Sequence, residues 1–72
     1  SGDAAVAKAA DYSAKRDGLL AQLAQVQENR SKAYAGWNVD HFGGQSPSEF
    51  QAILGRYDSE EAAINVELAR LA

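Results

Sequence analysis

Twelve consecutive residues, Asn38-Val39-Asp40-His41-Phe42-Gly43-Gly44-Gln45-Ser46-Pro47-Ser48-Glu49, constrain this chain more than any other stretch. They close one helical pattern with a polar, glycine-rich loop and open another with a full set of start signals. Ser46 is placed as N-cap, Pro47 as first helical residue and Glu49 as the reciprocal capping-box partner. Two long alanine- and leucine-bearing segments flank the loop. The expected fold is therefore all-α: an antiparallel two-helix hairpin, coiled-coil-like, with arm 1 over about 3–36, a loop over 37–45 and arm 2 over 46–72.

Four-and-three spacing supports both arms. In the second, Phe50, Leu54, Tyr57, Glu61, Ile64, Leu68 and Leu71 share one stripe, interrupted only by Glu61. In the first, the same spacing collects Ala5, Ala9, Tyr12, Arg16, Leu19, Leu23, Val26, Arg30, Ala33 and Trp37, with Leu20 widening the face. The helix-packing residues expected from these stripes are Leu19, Leu23, Val26, Phe50, Leu54, Tyr57, Ile64, Leu68 and Leu71. A loop centre near residues 41 and 42 sets Tyr34 opposite Phe50, Arg30 opposite Leu54, Leu23 opposite Glu61 and Leu19 opposite Ile64. Arg30 then comes within reach of Asp58, and Arg30, Asp58 and Glu61 form a candidate polar register set. Glu61 has two readings: a side chain that snorkels to the edge of a narrow seam, or a buried polar group that fixes register in an oligomer core.

Asp17-Gly18 is the threat to a continuous first arm, since Asp-Gly is a strong turn dipeptide. A break there gives a three-helix alternative. The unbroken arm is the primary expectation, because Gly18 lies off the apolar stripe and an exposed helix glycine costs only about 1 kcal/mol.

Size explains why a hairpin needs help. The chain has 72 residues, and a domain this small buries only roughly 60% of its unfolded surface. It has no cysteine for a disulfide or zinc cluster, so oligomerisation or docking is the expected supplement. The chain also has no methionine and opens with Ser1-Gly2, which reads as a processed piece of a longer protein. No apolar run approaches the ~20 residues of a membrane span, so a soluble segment without direct membrane insertion is expected.

The net charge is −3, and it is unevenly spread. Asp3, Asp11, Asp17 and Glu28 in the first arm face Lys8, Lys15, Arg16, Arg30 and Lys32, a balance of +1. In the second arm Glu49, Asp58, Glu60, Glu61 and Glu67 outnumber Arg56 and Arg70, a balance of −3. Opposite signs favour side-by-side arms, and the lack of a clustered basic surface argues against nucleic acid as a partner.

Chemistry finds little support. His41 is the only histidine, and Asp40 beside it makes no recognised ligand spacing. Serines 13, 31, 46, 48 and 59 have no base at a recognisable motif spacing. The expectation is no catalytic residue, no metal and no cofactor. At the hairpin tip, Trp37, Val39 and Phe42 are more apolar bulk than a plain turn requires, so they are candidate partner-binding residues. Their other reading is a plug that folds against Tyr34 and Phe50.

Two short likenesses bear on the loop. Gly36-Trp37-Asn38, between two helices of a small acidic chain without cysteine, resembles the Trp-x-Gly family of small secreted helical-hairpin proteins. That resemblance implies a helical hairpin. Trp37 is followed here by Asn38 and Val39, and the second arm lacks that family's C-terminal secretion signature. Gly43-Gly44-Gln45 resembles the Gly-Gly-Gln tripeptide of peptide-chain release factors over those three residues alone, without the basic neighbours of such factors; the glycines are read as backbone freedom for a reversal. The function expected is a non-enzymatic protein–protein interaction or assembly module: an adaptor, chaperone or structural component that pairs with itself or a partner helix. The alternative is a ligand-sensing or signalling helical domain belonging to a larger receptor.

Overall fold

The start signals at Ser46 are used as the residue types dictate. The computed structural model describes residues 2–40 and 46–72, and side chains throughout these except at 38–40. Ser46 sits in extended backbone, its Oγ accepts from the Glu49 N–H at 3.3 Å, and Pro47 follows at the first position, where a missing N–H costs nothing. The Ser46 carbonyl accepts the first helical bond from the Phe50 N–H at 3.0 Å. Helix α2 then runs over Pro47–Leu71, with Glu49 in its first turn and Arg70 in its last, both placed to favour the helix dipole.

Helix α1 runs over Gly2–Asp40 without a break. The three-helix alternative is not adopted. Gly18 meets open space where a side chain would project, and no described glycine has a positive φ, so Asp17-Gly18 is carried as exposed helix. Alanine-rich turns before it and the half-buried Leu19 and Leu23 after it outweigh the small local cost of one glycine. At the other end α1 outlasts the expected 3–36 by about one turn. Gly36 does not cap it, because Trp37 stacks on Phe50 and holds the last turn across from α2.

The two helices pack on each other as an antiparallel hairpin: Trp37 and Tyr34 meet Phe50 at one end, and Arg30 meets Asp58 and Glu61 further along. The longer α1 moves the pairing. Arg30 sits level with Asp58 rather than Leu54, and Val26 shares a groove with Ile64. The expected register is therefore displaced by about one helical turn, in step with the later end of α1.

Val26, Phe50, Leu54 and Ile64 are the buried apolar core among the described residues. Leu19, Leu23, Tyr57, Leu68 and Leu71 are half-buried beside them, as are Ala33, Trp37 and Ile53. With 39 residues against 25, α1 projects well past the C-terminal end of α2. The molecule is 63 Å long and 17 × 10 Å across, and residues 2–18 are exposed throughout.

Candidate interaction surfaces

The polar centre of the seam is built by Arg30. This residue occupies a stripe position on α1, so its stem lies along the apolar seam and its guanidinium reaches the edge of α2. Nη1 donates to Asp58 Oδ1 at 3.0 Å, and Nη2 lies 3.3 Å from Glu61 Oε2. The three residues of the sequence-derived register set thus stand together. Their environments differ: the side chains of Arg30 and Glu61 are 30% and 26% exposed, that of Asp58 is 65% exposed. Glu61 Oε2 is itself buried, and its contact with Arg30 is an ion pair without hydrogen-bond alignment. A carboxylate oxygen in that position is held by charge alone, which makes the pair sensitive to the loss of Arg30.

The aromatic end is built around Phe50, buried where the second helix begins. The Trp37 ring stacks on it at 4.8 Å between centroids with the planes 11° apart, and the Tyr34 ring meets it edge-on at 5.4 Å. Both geometries suit the quadrupoles of aromatic rings. Trp37 is half-buried in this contact and belongs to the last turns of α1, not to the loop. Val39 lies on the α1 backbone with its side chain outside the described residues, and Phe42 and His41 also lie outside them.

The seam leaves two lateral faces. On one, an open groove of about 430 Å³ runs between the helices; Val26, Ala63 and Ile64 supply its apolar walls and Gln22, Gln25, Asn29 and Glu60 its polar ones. The α1–α2 edges on that side also carry Lys8, Lys15, Arg56, Glu67 and Arg70, so it is a solvated, charged face. On the other, α2 presents Ser48, Gly55, Ala62 and Ala69, one small residue every seven, and α1 presents Leu20 and Tyr34, 45% and 47% exposed. Asp17 and Asp58 are the acids of this face, and Arg16 and Arg30 reach them from the stripe of α1. The small-residue recurrence was readable from spacing alone, yet sequence reasoning passed over it because the residues fall beside the apolar stripe.

Beyond the paired part, the first turns of α1 are alanine-rich, with Val6 at 69% exposure and Tyr12, whose ring lies 5.9 Å from the Arg16 guanidinium. Lys15 pairs with Asp11 one turn away, an exposed contact worth a few tenths of a kcal/mol. Among the described residues no cluster of histidine and carboxylates is grouped to hold a metal ion, and no helix is long and apolar enough to cross a membrane. No protein-family model, curated protein or solved structure matches the chain.

Proposed function

We propose that this chain is a non-enzymatic protein–protein interaction or assembly module, in which the helical hairpin completes its core with helices from outside itself. One observation carries the reading. Among the described residues the hairpin buries four apolar side chains, while Val6, Tyr12, Leu20, Tyr34 and Val66 stand exposed. A two-layer core normally covers such residues, and two helices alone have no second layer to offer. With no cysteine to add a crosslink, the ordering entropy of a 72-residue chain must be offset by further burial.

The fit is to an adaptor, a chaperone or a structural component. A helical partner suits the exposed rows of α1 and α2 because both run along a helix axis, at the spacing by which helices interdigitate. The aromatic cluster of Trp37, Tyr34 and Phe50 gives that surface a rigid end, of the kind in which interface energy concentrates.

Dilution tests the reading. Circular dichroism melts of the chain at falling concentration should lose helicity and melting temperature as the outside helices dissociate. A monomer at nanomolar concentration that keeps its full helicity and its melting temperature needs no partner, and the proposal is then wrong.

A further inference from the structure

We propose that the outside helices are those of a second copy: two hairpins pair through the face of Leu20, Tyr34, Gly55, Ala62 and Ala69, with α1 of each copy antiparallel on α2 of the other. The inference rests on the interaction-module reading and adds the partner, the face and the register to it.

Size complementarity comes first. Leu20 and Tyr34 are fourteen residues apart on α1 and project from the same lateral face, while Gly55 and Ala69 are fourteen apart on α2 with Ala62 midway. The register set by Trp37 on Phe50 and Arg30 on Asp58 puts Leu20 within two residues of the level of Ala69, and Tyr34 within two residues of the level of Gly55. A twofold axis parallel to the helices leaves every level unchanged and exchanges α1 with α2. Each copy's two protruding side chains therefore come to within about 3 Å, along the axis, of the other's two small positions, an offset within the reach of a leucine or tyrosine side chain. Such a match of ridges and hollows on one surface is what an isologous interface requires.

The small row is not explained by the hairpin's own packing. A side chain added at Gly55 would meet nothing within 4 Å, and Ser48, Ala62 and Ala69 are exposed.

Charge does not oppose the pairing. The acids of this face, Asp17 and Asp58, are each paired with an arginine of their own hairpin, Arg16 and Arg30, whereas the opposite face carries the lysines, arginines and glutamates of the outer edges. Ser31 also comes level with Asp58 of the second copy, a hydroxyl donor for a carboxylate that Arg30 only partly occupies.

Area allows a stable pair. A face as long as the 25-residue α2, about 37 Å, and 17 Å wide gives roughly 1,200 Å² over both copies, at the lower edge of specific interfaces.

Sedimentation equilibrium at tens of micromolar, on the chain and on Gly55→Leu, tests the proposal. The chain should be a dimer. Gly55→Leu fits the single hairpin and favours helix, so it should stay helical while its dimer weakens about tenfold or more; Ser59→Leu, on the outer side of α2, should leave the dimer as it was. The chain has no cysteine of its own, so a mixture of Leu20→Cys and Ala69→Cys chains should form a mixed disulfide on oxidation. A chain that remains a monomer overturns the second copy as partner; if that monomer is also fully helical and high-melting the interaction reading falls with it, and if it is poorly helical and low-melting that reading stands with helices of another protein as the partner. A dimer that Gly55→Leu leaves intact and that gives no mixed disulfide overturns the face.

Discussion

Between Leu19 and Trp37 the four-and-three spacing of α1 lies against α2, and there Val26 is buried while Leu19, Leu23, Ala33 and Trp37 are half-buried. Between Ala5 and Arg16 the same spacing continues with no helix opposite, and every residue is exposed. Helical periodicity is a property of the segment alone, whereas burial depends on how long the neighbouring helix is. Composition agrees with this division. The unpaired half is rich in alanine, which forms helix readily and loses little by staying wet; the paired half carries the leucines.

Substitutions sharpen the contrast between the two halves. The largest effect belongs to Phe50, where the stack with Trp37, the edge contact with Tyr34 and burial of the ring converge. Phe50→Ala should cost about 3–5 kcal/mol, enough to unfold so small a domain. Trp37→Ala should cost less, because its ring is only half-buried. Thermal melts followed by circular dichroism check the order, and a Trp37 variant that loses more than the Phe50 variant would mean that the tip is organised around the indole.

The same contact separates what could be read in advance from what could not. Helix α2 was legible to the residue at its start, since Ser46, Pro47 and Glu49 each have a local reason to be where they are. Its buried residues followed from spacing. The end of α1 was not legible: the arm was expected to stop at about residue 36, and what carries it on is the Phe50 ring, thirteen positions from Trp37 along the chain yet stacked on it in space. A contact at that separation leaves no trace in the local pattern. The register error followed from it, because moving the end of α1 by a turn moves every pair along the seam.

Of the candidate surfaces, the Arg30, Asp58 and Glu61 set was legible because a charged residue interrupting an apolar stripe has few places to go. How unequally the two carboxylates are exposed was not, since that depends on the side-chain paths across the seam. The lateral row of small residues was missed for the opposite reason: nothing about an exposed alanine calls for explanation until the hairpin sets it on one face with its fellows.

Arg30→Ala should cost about 1–3 kcal/mol, since Glu61 Oε2 stays buried with its charge partner gone. Asp58→Ala should cost only a few tenths of a kcal/mol, because its carboxylate is mostly in water. Urea denaturation of both variants measures the difference. Equal losses would show that the seam draws nothing from the buried half of the network.

Ser46→Ala removes the acceptor for the Glu49 N–H and should cost about 1 kcal/mol. Its effect should fall on α2 and on the seam that α2 covers, leaving the first turns of α1 as they were. Hydrogen exchange resolved by residue reads that distribution, and an unchanged melting temperature would place the start of α2 elsewhere.

The smallest effect is expected at Tyr12, the largest apolar side chain on the stripe of the unpaired half. It is 40% exposed, and the Arg16 guanidinium over its ring is an exposed contact between two residues of the same helix. Tyr12→Ser should therefore change stability by less than about 0.5 kcal/mol. Helix α2 is too short to reach this position, so nothing across the seam responds to the loss. The measurement is a melt of Tyr12→Ser beside one of Leu23→Ser, the same replacement at a half-buried stripe position of the paired half. A loss at Tyr12 that rivals the loss at Leu23 would mean that the first turns of α1 are covered in solution, and the difference between the two halves would then end where a further helix begins.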